Sequence, residues 1–234
     1  MAKILCIETA TNICSVAVGI DGKVAALKES TRKNSHAEVL TSFIQEALDE
    51  AKINKEDLDA IAVSKGPGSY TGLRIGVSTA KGLAYALSCP VITVTTLQSM
   101  AMGVILENQI AISENTLLCP MIDARRMEVY CGLYNKEGKE VNPIEAKIID
   151  EESFSDILQD KEIIYFGDGA QKCLDSFENK AHTHYYEKGF PTASAIITLA
   201  EKKFEASEFE DIAYFEPYYL KDFVAGKPRV KGLR

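Results

Sequence analysis

The most informative stretch of this sequence is Gly66-Pro67-Gly68-Ser69-Tyr70-Thr71-Gly72-Leu73-Arg74-Ile75-Gly76. It follows the short apolar segment 61–65, which has the composition of a strand. Glycine permits positive φ and the close approach of another chain, proline fixes φ, and Ser69 or Thr71 can cap a helix. The stretch therefore predicts a strand, a turn and a helix, and the free amides at such a helix start can bind an anion.

The helix predicted over residues 71–87 has two different faces. Its polar side chains fall on one stripe at helical spacing: Arg74, Ser78, Lys81 and Tyr85. A small-residue ridge recurs at every fourth position and allows another backbone to pack closely: Gly72, Gly76, Ala80 and Ala84. Either the chain's own sheet or a second protein covers this ridge. We expect it to be directed mainly toward a partner.

The composition is that of a globular protein with one large domain or two small ones. The chain has 234 residues, of which 46% are hydrophobic and 26% charged. Glu8 comes too early for a signal peptide, and no apolar run is long enough to span a membrane, so a cytoplasmic protein is expected. The formal charge of −8 does not match a stand-alone nucleic-acid binder.

One local exception to the acidic charge is the tail over residues 225–234. It has no acidic residue and four basic ones, which are either simply solvated or in contact with phosphate: Lys227, Arg229, Lys231 and Arg234.

The sequence has no strong motif for a metal site, a disulfide framework or a catalytic nucleophile. Six cysteines without a Cys-x-x-Cys pair read as buried free thiols, and His182-x-His184 has no third ligand nearby, so no metal site is expected. Ser69 has neither a Gly-x-Ser-x-Gly elbow nor a convincing base, and no Walker A motif is present. We therefore expect no catalytic residue in this chain.

The hydrophobic patterns divide the chain into two α/β halves. The first half predicts the order βββαβαβ, with strands at 3–7, 13–20, 23–29, 59–64 and 91–94 and helices at 37–52 and 71–87. The second half repeats this order less clearly, with strands at 116–122, 128–134, 145–149 and 162–166 and helices at 151–158, 170–177 and 193–206. The predicted domains are residues 1–105 and 106–234, with the last segment able to return to the first domain.

Three turns that follow strands carry acids, hydroxyls and glycines: residues 8–12, 123–126 and 167–170. Brought together across a cleft between two similar halves, such turns can hold metal-bound phosphates and a nucleoside, although plain turns use the same residues. With the glycine turn, they give the candidate nucleotide-binding residues Glu8, Thr9, Gly68, Ser69, Asp123, Arg125, Gly167 and Gly169.

Four segments resemble the TsaB family, also called YeaZ. They are Ile7-Glu8-Thr9, the glycine-rich stretch quoted above, Asp123-Ala124-Arg125-Arg126-x-Glu128-Val129-Tyr130, and Pro217-Tyr218-Tyr219-Leu220. The glycine-rich stretch is highly specific, and the likeness covers most of the chain. The resemblance implies an α/β fold of the actin-like ATPase type shared with sugar kinases, in two tandem βββαβα domains.

The resemblance also implies a function. Members serve in making threonylcarbamoyladenosine beside the anticodon of tRNAs that read codons starting with A, as non-catalytic partners of the related enzyme TsaD, with the ATPase TsaE as third component. TsaD carries a His-x-x-x-His metal pair, whose places here fall on Thr96 and Met100, and neither is a plausible metal ligand. The nucleotide site is then degenerate: no cofactor is required, and weak binding of ATP or ADP with magnesium stays open.

The expected partner surface lies on the helices 37–52 and 71–87. It comprises Leu40, Phe43, Ile44, Ala47, Thr71, Gly72, Arg74, Ile75, Gly76, Ser78, Lys81 and Tyr85. The same surface is expected to pair two copies of the chain when TsaD is absent. We expect contact with tRNA to be indirect or through the basic tail. The alternatives are an active ATP-dependent kinase or ATPase of this fold, and a metallopeptidase, against which the missing histidine pair argues.

Overall fold

Two five-stranded sheets of the same strand order form the frame of the protein. The computed structural model describes residues 2–32, 35–177 and 180–221, and the four basic residues of the tail (Lys227, Arg229, Lys231 and Arg234) lie outside them. The first sheet contains β1 (Lys3–Glu8), β2 (Cys14–Ile20), β3 (Lys23–Ser30), β4 (Ala60–Ser64) and β5 (Val91–Val94). The second contains β6 (Thr116–Asp123), β7 (Glu128–Tyr134), β8 (Glu140–Ile148), β9 (Glu162–Phe166) and β10 (Thr183–Tyr186).

The sheets repeat one topology. Their strand orders are β3-β2-β1-β4-β5 and β8-β7-β6-β9-β10. In each, three antiparallel strands continue into a parallel pair, so that β1 and β6 are the central strands. This repetition confirms the prediction of two tandem βββαβα domains, in which the carboxyl ends of β1 and β4, and of β6 and β9, form matching edges.

Helices cover the sheets in layers. They are α1 (His36–Ala51), α2 (Tyr70–Leu87), α3 (Thr96–Glu107), α4 (Leu174–Phe177) and α5 (Ala193–Glu205). The apolar faces of α1 and α2 pack on one face of the first sheet, and α5 packs on the other. The α3 helix lies between α5 and the second sheet, since Met102 joins the core under α5 while Leu97, Met100 and Val104 pack against the second sheet.

The glycine-rich stretch folds as predicted. Ser69 ends the turn after β4 in an extended conformation and caps α2, because its hydroxyl accepts a hydrogen bond of 3.2 Å from the Gly72 amide. Gly66 has a φ of 118°, which a residue with a side chain rarely adopts. The predicted strand, turn and capped helix are therefore confirmed.

The direction expected for the small-residue ridge is wrong. Gly72, Gly76, Ala80 and Ala84 are all buried in the first domain. Gly72 packs on the backbone carbonyl of Thr9, and Gly76 packs on the Thr9 hydroxyl. The ridge serves the close approach of α2 to the end of β1, so it cannot contact a partner in this fold.

Three other elements differ from the sequence predictions. Residues 151–158 form turns followed by a 3-10 turn (Ile157–Gln159) instead of a helix. The α3 helix went unpredicted because it is buried on most sides, between two sheets, and so lacks a polar stripe. The β10 strand is a four-residue edge strand, too short for a clear alternation.

After α5, residues 209–221 run back along the first sheet; we call them segment 209–221. Glu210 forms a β-bridge with Val91, and its carboxylate accepts a hydrogen bond of 2.5 Å from the Thr93 hydroxyl. Phe215 is buried in the core beneath α2, and the Tyr218 amide donates a hydrogen bond of 2.7 Å to the Lys65 carbonyl. Within the described residues, none of the helices has the length and apolarity needed to cross a membrane.

Candidate functional site

A cleft of about 760 Å³ lies where the ends of the two sheets face each other. Three walls line it. The first wall is made by residues 10–12 and 67–71 of the first domain, the second by residues 122–126 and Glu128, Tyr130 and Asp168 of the second domain, and the third by residues 218–221. Ligands of open α/β sheets bind at such carboxyl-end crevices, so this cleft is the candidate functional site.

The first wall is a fixed turn. The Ser69 amide donates a hydrogen bond of 2.7 Å to the Ala10 carbonyl, which ties the turn after β4 to the turn after β1. A Cβ at Gly68 would overlap the same carbonyl oxygen, so this contact needs glycine. The wall presents the Ser69 side chain and the start of α2 to the cleft.

The second wall is organised by two acids at the ends of β6 and β9. One carboxylate oxygen of Asp123 accepts a hydrogen bond of 2.9 Å from the Arg125 amide and also pairs with Lys172, while Asp168 accepts a bond of 3.1 Å from the Asp123 amide. Desolvation acts to raise the pKa of Asp123, but the bonds from Lys172 and Arg125 outweigh it and lower that pKa. Desolvation and the neighbouring Asp123 charge raise the pKa of Asp168.

Lys172 lies behind this wall and uses its ammonium group fully. Its Nζ contacts Asp123 Oδ1 and donates hydrogen bonds of 2.8 Å to the Arg126 carbonyl and 2.7 Å to the Glu128 carbonyl. In the turn between these acceptors, Arg125 and Arg126 both have positive φ, at 72° and 49°. Beside Asp123 Oδ1, the position that magnesium would take in the actin-like ATPase fold is occupied by the Lys172 ammonium, which also holds the carbonyls of Arg126 and Glu128.

The third wall joins the two domains. The ring of Tyr219 lies 4.9 Å from that of Tyr70 on α2, centroid to centroid. Two residues later, Lys221 pairs with the carboxylate of Glu128 and lies 5.9 Å from the Tyr130 ring centroid. Residues 218–221 therefore contact both of the other walls.

The structure divides the candidate nucleotide-binding residues into two groups. Gly68, Ser69, Asp123 and Arg125 line the cleft, whereas Glu8, Thr9, Gly167 and Gly169 do not. Gly167 and Gly169 lie against the backbone of Met121 and Ile122, where a Cβ would overlap main-chain atoms. Packing between the loops after β6 and β9 therefore accounts for both glycines without a ligand.

Glu8 and Thr9 are also structural. Glu8 is completely buried, its Oε1 accepts a hydrogen bond of 2.6 Å from the Ala10 amide, and its other carboxylate oxygen has no hydrogen-bond partner. Desolvation by burial raises the pKa of Glu8 to about 7, against the hydrogen bonds that lower it. The Thr9 hydroxyl donates a bond of 2.8 Å to the Gly72 carbonyl. Neither side chain faces a ligand in the cleft, so their predicted role is wrong.

The two positions that align with the histidine pair lie away from the cleft as well. The hydroxyls of Ser64 and Thr96 are 2.7 Å apart and buried, and Met100 is completely buried against the second sheet. Both positions therefore serve the packing of α3. Among the residues that the structure describes, no three His, Cys, Asp or Glu side chains are grouped so that they could hold a metal ion.

Sequence reasoning missed several residues of the cleft. None of these residues was predicted as part of the site, although some were quoted within a motif: Lys172, Glu128, Tyr70, Tyr219 and Lys221. The spacing of Lys172, three residues after Gly169, was a usable signal, since it places an ammonium one turn beyond the acid of that loop. The approach of residues 218–221 depends on the return of the chain over the first sheet and has no local signal.

The predicted partner surface is also divided. Leu40, Ile44, Ala47, Gly72 and Gly76 are buried in the first domain, so their assignment to a partner surface is wrong. Phe43 and Ile75 pack partly against the same core. The solvent-exposed members are Thr71, Arg74, Ser78 and Tyr85, with Lys81 half-buried beside them.

Comparisons with known proteins agree with this architecture. The family described as "TsaD: tRNA N6-adenosine threonylcarbamoyltransferase" matches residues 28–227. The chain is 32% identical to the tRNA threonylcarbamoyladenosine biosynthesis protein TsaB of Escherichia coli (strain K12), over 96% of this chain and 97% of that protein.

Solved structures extend the likeness. YeaZ from Pseudomonas aeruginosa superposes with a TM-score of 0.80 and 26% identity, over 94% of this chain and all of that one. The activator of 2-hydroxyisocaproyl-CoA dehydratase from Clostridium difficile, solved with bound ADPNP, has a TM-score of 0.51 at 8% identity, over 88% of this chain and 96% of that one. The second likeness concerns the fold alone.

Proposed function

Because this chain belongs to the TsaB (YeaZ) family and thus takes part in the biosynthesis of threonylcarbamoyladenosine in tRNA, we propose that it acts as a non-catalytic, activating subunit. Its partners would be a homologue of the transferase TsaD and a homologue of TsaE. The complex would modify the adenosine next to the anticodon in tRNAs that read codons starting with A.

The non-catalytic role is supported mainly by Thr96 and Met100, which take the places of the two metal-binding histidines. Thr96 and Met100 are buried in the packing of α3 and offer no metal ligand to the cleft. The Asp123 carboxylate is held by Lys172. Transfer of an acyl group needs a preorganised positive charge at the developing oxyanion, which a metal can supply as a Lewis acid. These residues support a role in assembly better than a role in the chemistry.

The exposed face of α2 supports a protein partner. Tyr85 is 81% exposed although it is a large aromatic residue, and Arg74 lies in solvent against Tyr70, 5.1 Å from its ring centroid. Tyrosine and arginine are the residue types enriched at the centres of protein interfaces. We therefore place the partner on the α2 stripe, defined as Thr71, Arg74, Ser78, Lys81 and Tyr85, and expect the same stripe to pair two copies when TsaD is absent.

The test is transfer of the threonylcarbamoyl group from its adenylate to tRNA by the TsaD homologue, with the TsaE homologue present, with and without this chain. We expect no transfer by this chain alone and stimulation of the TsaD homologue when it is added. Magnesium-dependent ATP turnover by the isolated chain, lost in Asp123→Asn, would instead favour an active ATPase or kinase. No stimulation and no co-purification with the TsaD homologue would overturn the proposal.

Two matched pairs of variants locate the contact. Arg74→Glu and Tyr85→Ala should each weaken binding to the TsaD homologue at least about tenfold, as expected for interface anchors. The controls lie away from α2. Lys202→Glu on α5 reverses an exposed positive charge, and Ile148→Ala on β8 shortens an exposed hydrophobic side chain. Both should leave binding unchanged. Equal effects of all four variants would contradict the placement on α2.

A further inference from the structure

We infer that the basic tail of this chain, residues 222–234, binds to its own second domain as a strand added along the outer edge of β8. The tail lies outside the described residues. Its placement is supported by the open edge of β8, by an acidic groove beside that edge, by the point where the described chain ends and by the sequence of the tail. This contact lies within one chain, so it is independent of the partner proposed above.

β8 is an edge strand with an open side. Among the described strands it pairs with β7 alone, so the backbone groups on its other side face away from the sheet. It is nine residues long, whereas β10 at the opposite edge of the same sheet has four. A long open edge can accept a further strand, and proteins commonly cover such edges to prevent pairing with other chains.

A groove of about 530 Å³ lies beside this edge, between β8 and residues 150–157. Its lining includes four acidic residues and one lysine: Glu145, Asp150, Glu152, Asp156 and Lys147. Lys147 pairs with Glu145 at 3.1 Å, and no cation of the described residues forms an ion pair with Glu152 or Asp156. The groove therefore presents negative charge that a basic segment can neutralise.

The described chain ends next to the same strand. Its last residue, Lys221, pairs with the carboxylate of Glu128, and Glu128 lies opposite Ile148 at the end of β8. Two strand spacings, about 10 Å, separate β7 from a strand added outside β8. Five extended residues span about 17 Å, so residues 222–226 can cross this distance. The tail then runs antiparallel to β8, because it arrives at the carboxyl end of that strand.

The first residues of the tail suit an apolar corner at this end of the ladder. Met127 and Ile148 lie there and are 47% and 66% exposed, although both are large hydrophobic residues. Phe223 and Val224 follow directly after the described chain and Asp222. Packing of these two side chains on the corner removes apolar surface from water, which favours binding.

The remaining tail has the pattern of a strand with one basic face. Basic and nonpolar residues alternate over residues 227–232, so an extended backbone places three cations on the same side: Lys227, Arg229 and Lys231. Pro228 has no amide hydrogen, but it is compatible with an edge strand, where a donor can face solvent. The basic face matches the acidic groove, and attachment to the same chain gives the tail a high effective concentration there.

The experiment is hydrogen exchange of the full chain, followed by mass spectrometry of peptides from β8. Reversing the tail charges with Lys227→Glu, Arg229→Glu and Lys231→Glu should speed exchange of the β8 amides at least about tenfold, because the added strand leaves the edge. The control makes the same charge change on exposed lysines of the first domain, with Lys23→Glu, Lys55→Glu and Lys202→Glu. It should leave exchange of β8 unchanged.

A charge swap tests direct contact. Glu152→Lys with Asp156→Lys changes two exposed acids of the groove and should speed exchange of β8 on its own. Combined with the reversed tail, the same two changes should restore the slow exchange.

Three results would overturn the inference: equal exchange of β8 in the unchanged chain and the tail variant, a charge swap that restores nothing, or protection that is lost on dilution. Loss on dilution would show that β8 is covered by the tail of a second copy. Since none of these measurements uses a partner or tRNA, a failure of the proposed function would leave them unaffected.

Discussion

Gly72 and Thr9 hold α2 against the end of β1. The Thr9 hydroxyl donates a hydrogen bond of 2.8 Å to the Gly72 carbonyl, and a Cβ on Gly72 would overlap the Thr9 carbonyl oxygen. Because the neighbour is main chain directly after the central strand β1, it cannot move aside as a side-chain tip could. The glycine-rich stretch thus fixes the distance between the cleft wall and the sheet.

Gly72→Ala should destabilise the chain by about 1–3 kcal/mol, the usual cost of overpacking a well-filled core. Gly82→Ala on the same helix is the control, since a Cβ there meets nothing within 4 Å. It should be neutral or stabilise by up to about 1 kcal/mol, because alanine is the better helix former. Urea unfolding followed by circular dichroism measures both, and equal effects would show that the close packing at residue 72 is unimportant.

Glu8→Gln should flatten the dependence of stability on pH. The pKa of Glu8 is about 7 in the folded chain and near its ordinary value of 4.5 when unfolded, so the folded state keeps a proton that the unfolded state loses. Its contribution to the free energy of unfolding is therefore fully present below about pH 4.5 and is lost as the pH rises to about 7, by up to about 3 kcal/mol.

Glutamine stays neutral, and its carbonyl oxygen can still accept the Ala10 amide. Glu8→Gln should be more stable than the unchanged chain at pH 8 and should lack the fall between pH 5 and 7. Glu46→Gln, at an exposed position of α1, should keep that fall. If Glu8→Gln has the same stability as the unchanged chain at every pH, the pKa of Glu8 is not raised by folding.

Glu210→Ala should loosen segment 209–221. The Glu210 carboxylate accepts the buried Thr93 hydroxyl and lies 3.5 Å from Lys65 Nζ, so its loss leaves a buried hydroxyl without its partner, at a cost of about 1–3 kcal/mol. Glu208→Ala removes only an exposed ion pair of 3.7 Å with Lys203 and should cost at most about 1 kcal/mol. Hydrogen exchange of the Glu210 amide, which bonds to the Val91 carbonyl, reports the local effect.

The thiols should be unreactive in the folded chain. All six cysteines are buried and free, and desolvation by burial raises the thiol pKa of Cys14 and Cys173 to about 11. Since the thiolate is the reactive form, we expect no reaction with Ellman's reagent at pH 8 before unfolding, and six equivalents in urea. Fast reaction of one thiol in the folded chain would show that its strand opens locally.

Local chemistry explains what the sequence could predict. The cap at Ser69, the hairpin at Asp21-Gly22 and the apolar strand β2 depend on a few neighbouring residues, and the structure has each of them. The predicted turns 123–126 and 167–170 come together for a similarly local reason, because turns after parallel strands gather at one sheet edge.

The remaining features depend on contacts between distant parts of the chain. Gly72 and Gly76 look the same in sequence whether a partner or Thr9 covers them, and only the tertiary packing decides. Glu8 looks like a ligand of the cleft because it ends β1, yet the turn after β1 directs its carboxylate into the core. Lys172 meets Asp123 across 49 residues, a pairing for which one sequence offers no evidence.

Segment 209–221 contacts both the α2 stripe and the cleft. The Phe215 carbonyl accepts a hydrogen bond of 2.9 Å from Lys81 on α2, and three residues later Tyr218 begins the third wall. A partner that draws Lys81 away and a ligand that displaces Tyr219 both act on this one piece of chain. By reciprocity, whatever factor the partner applies to the ligand's affinity, the ligand applies to the partner's. If the segment couples the two places, a ligand of the cleft will change the affinity measured for the partner.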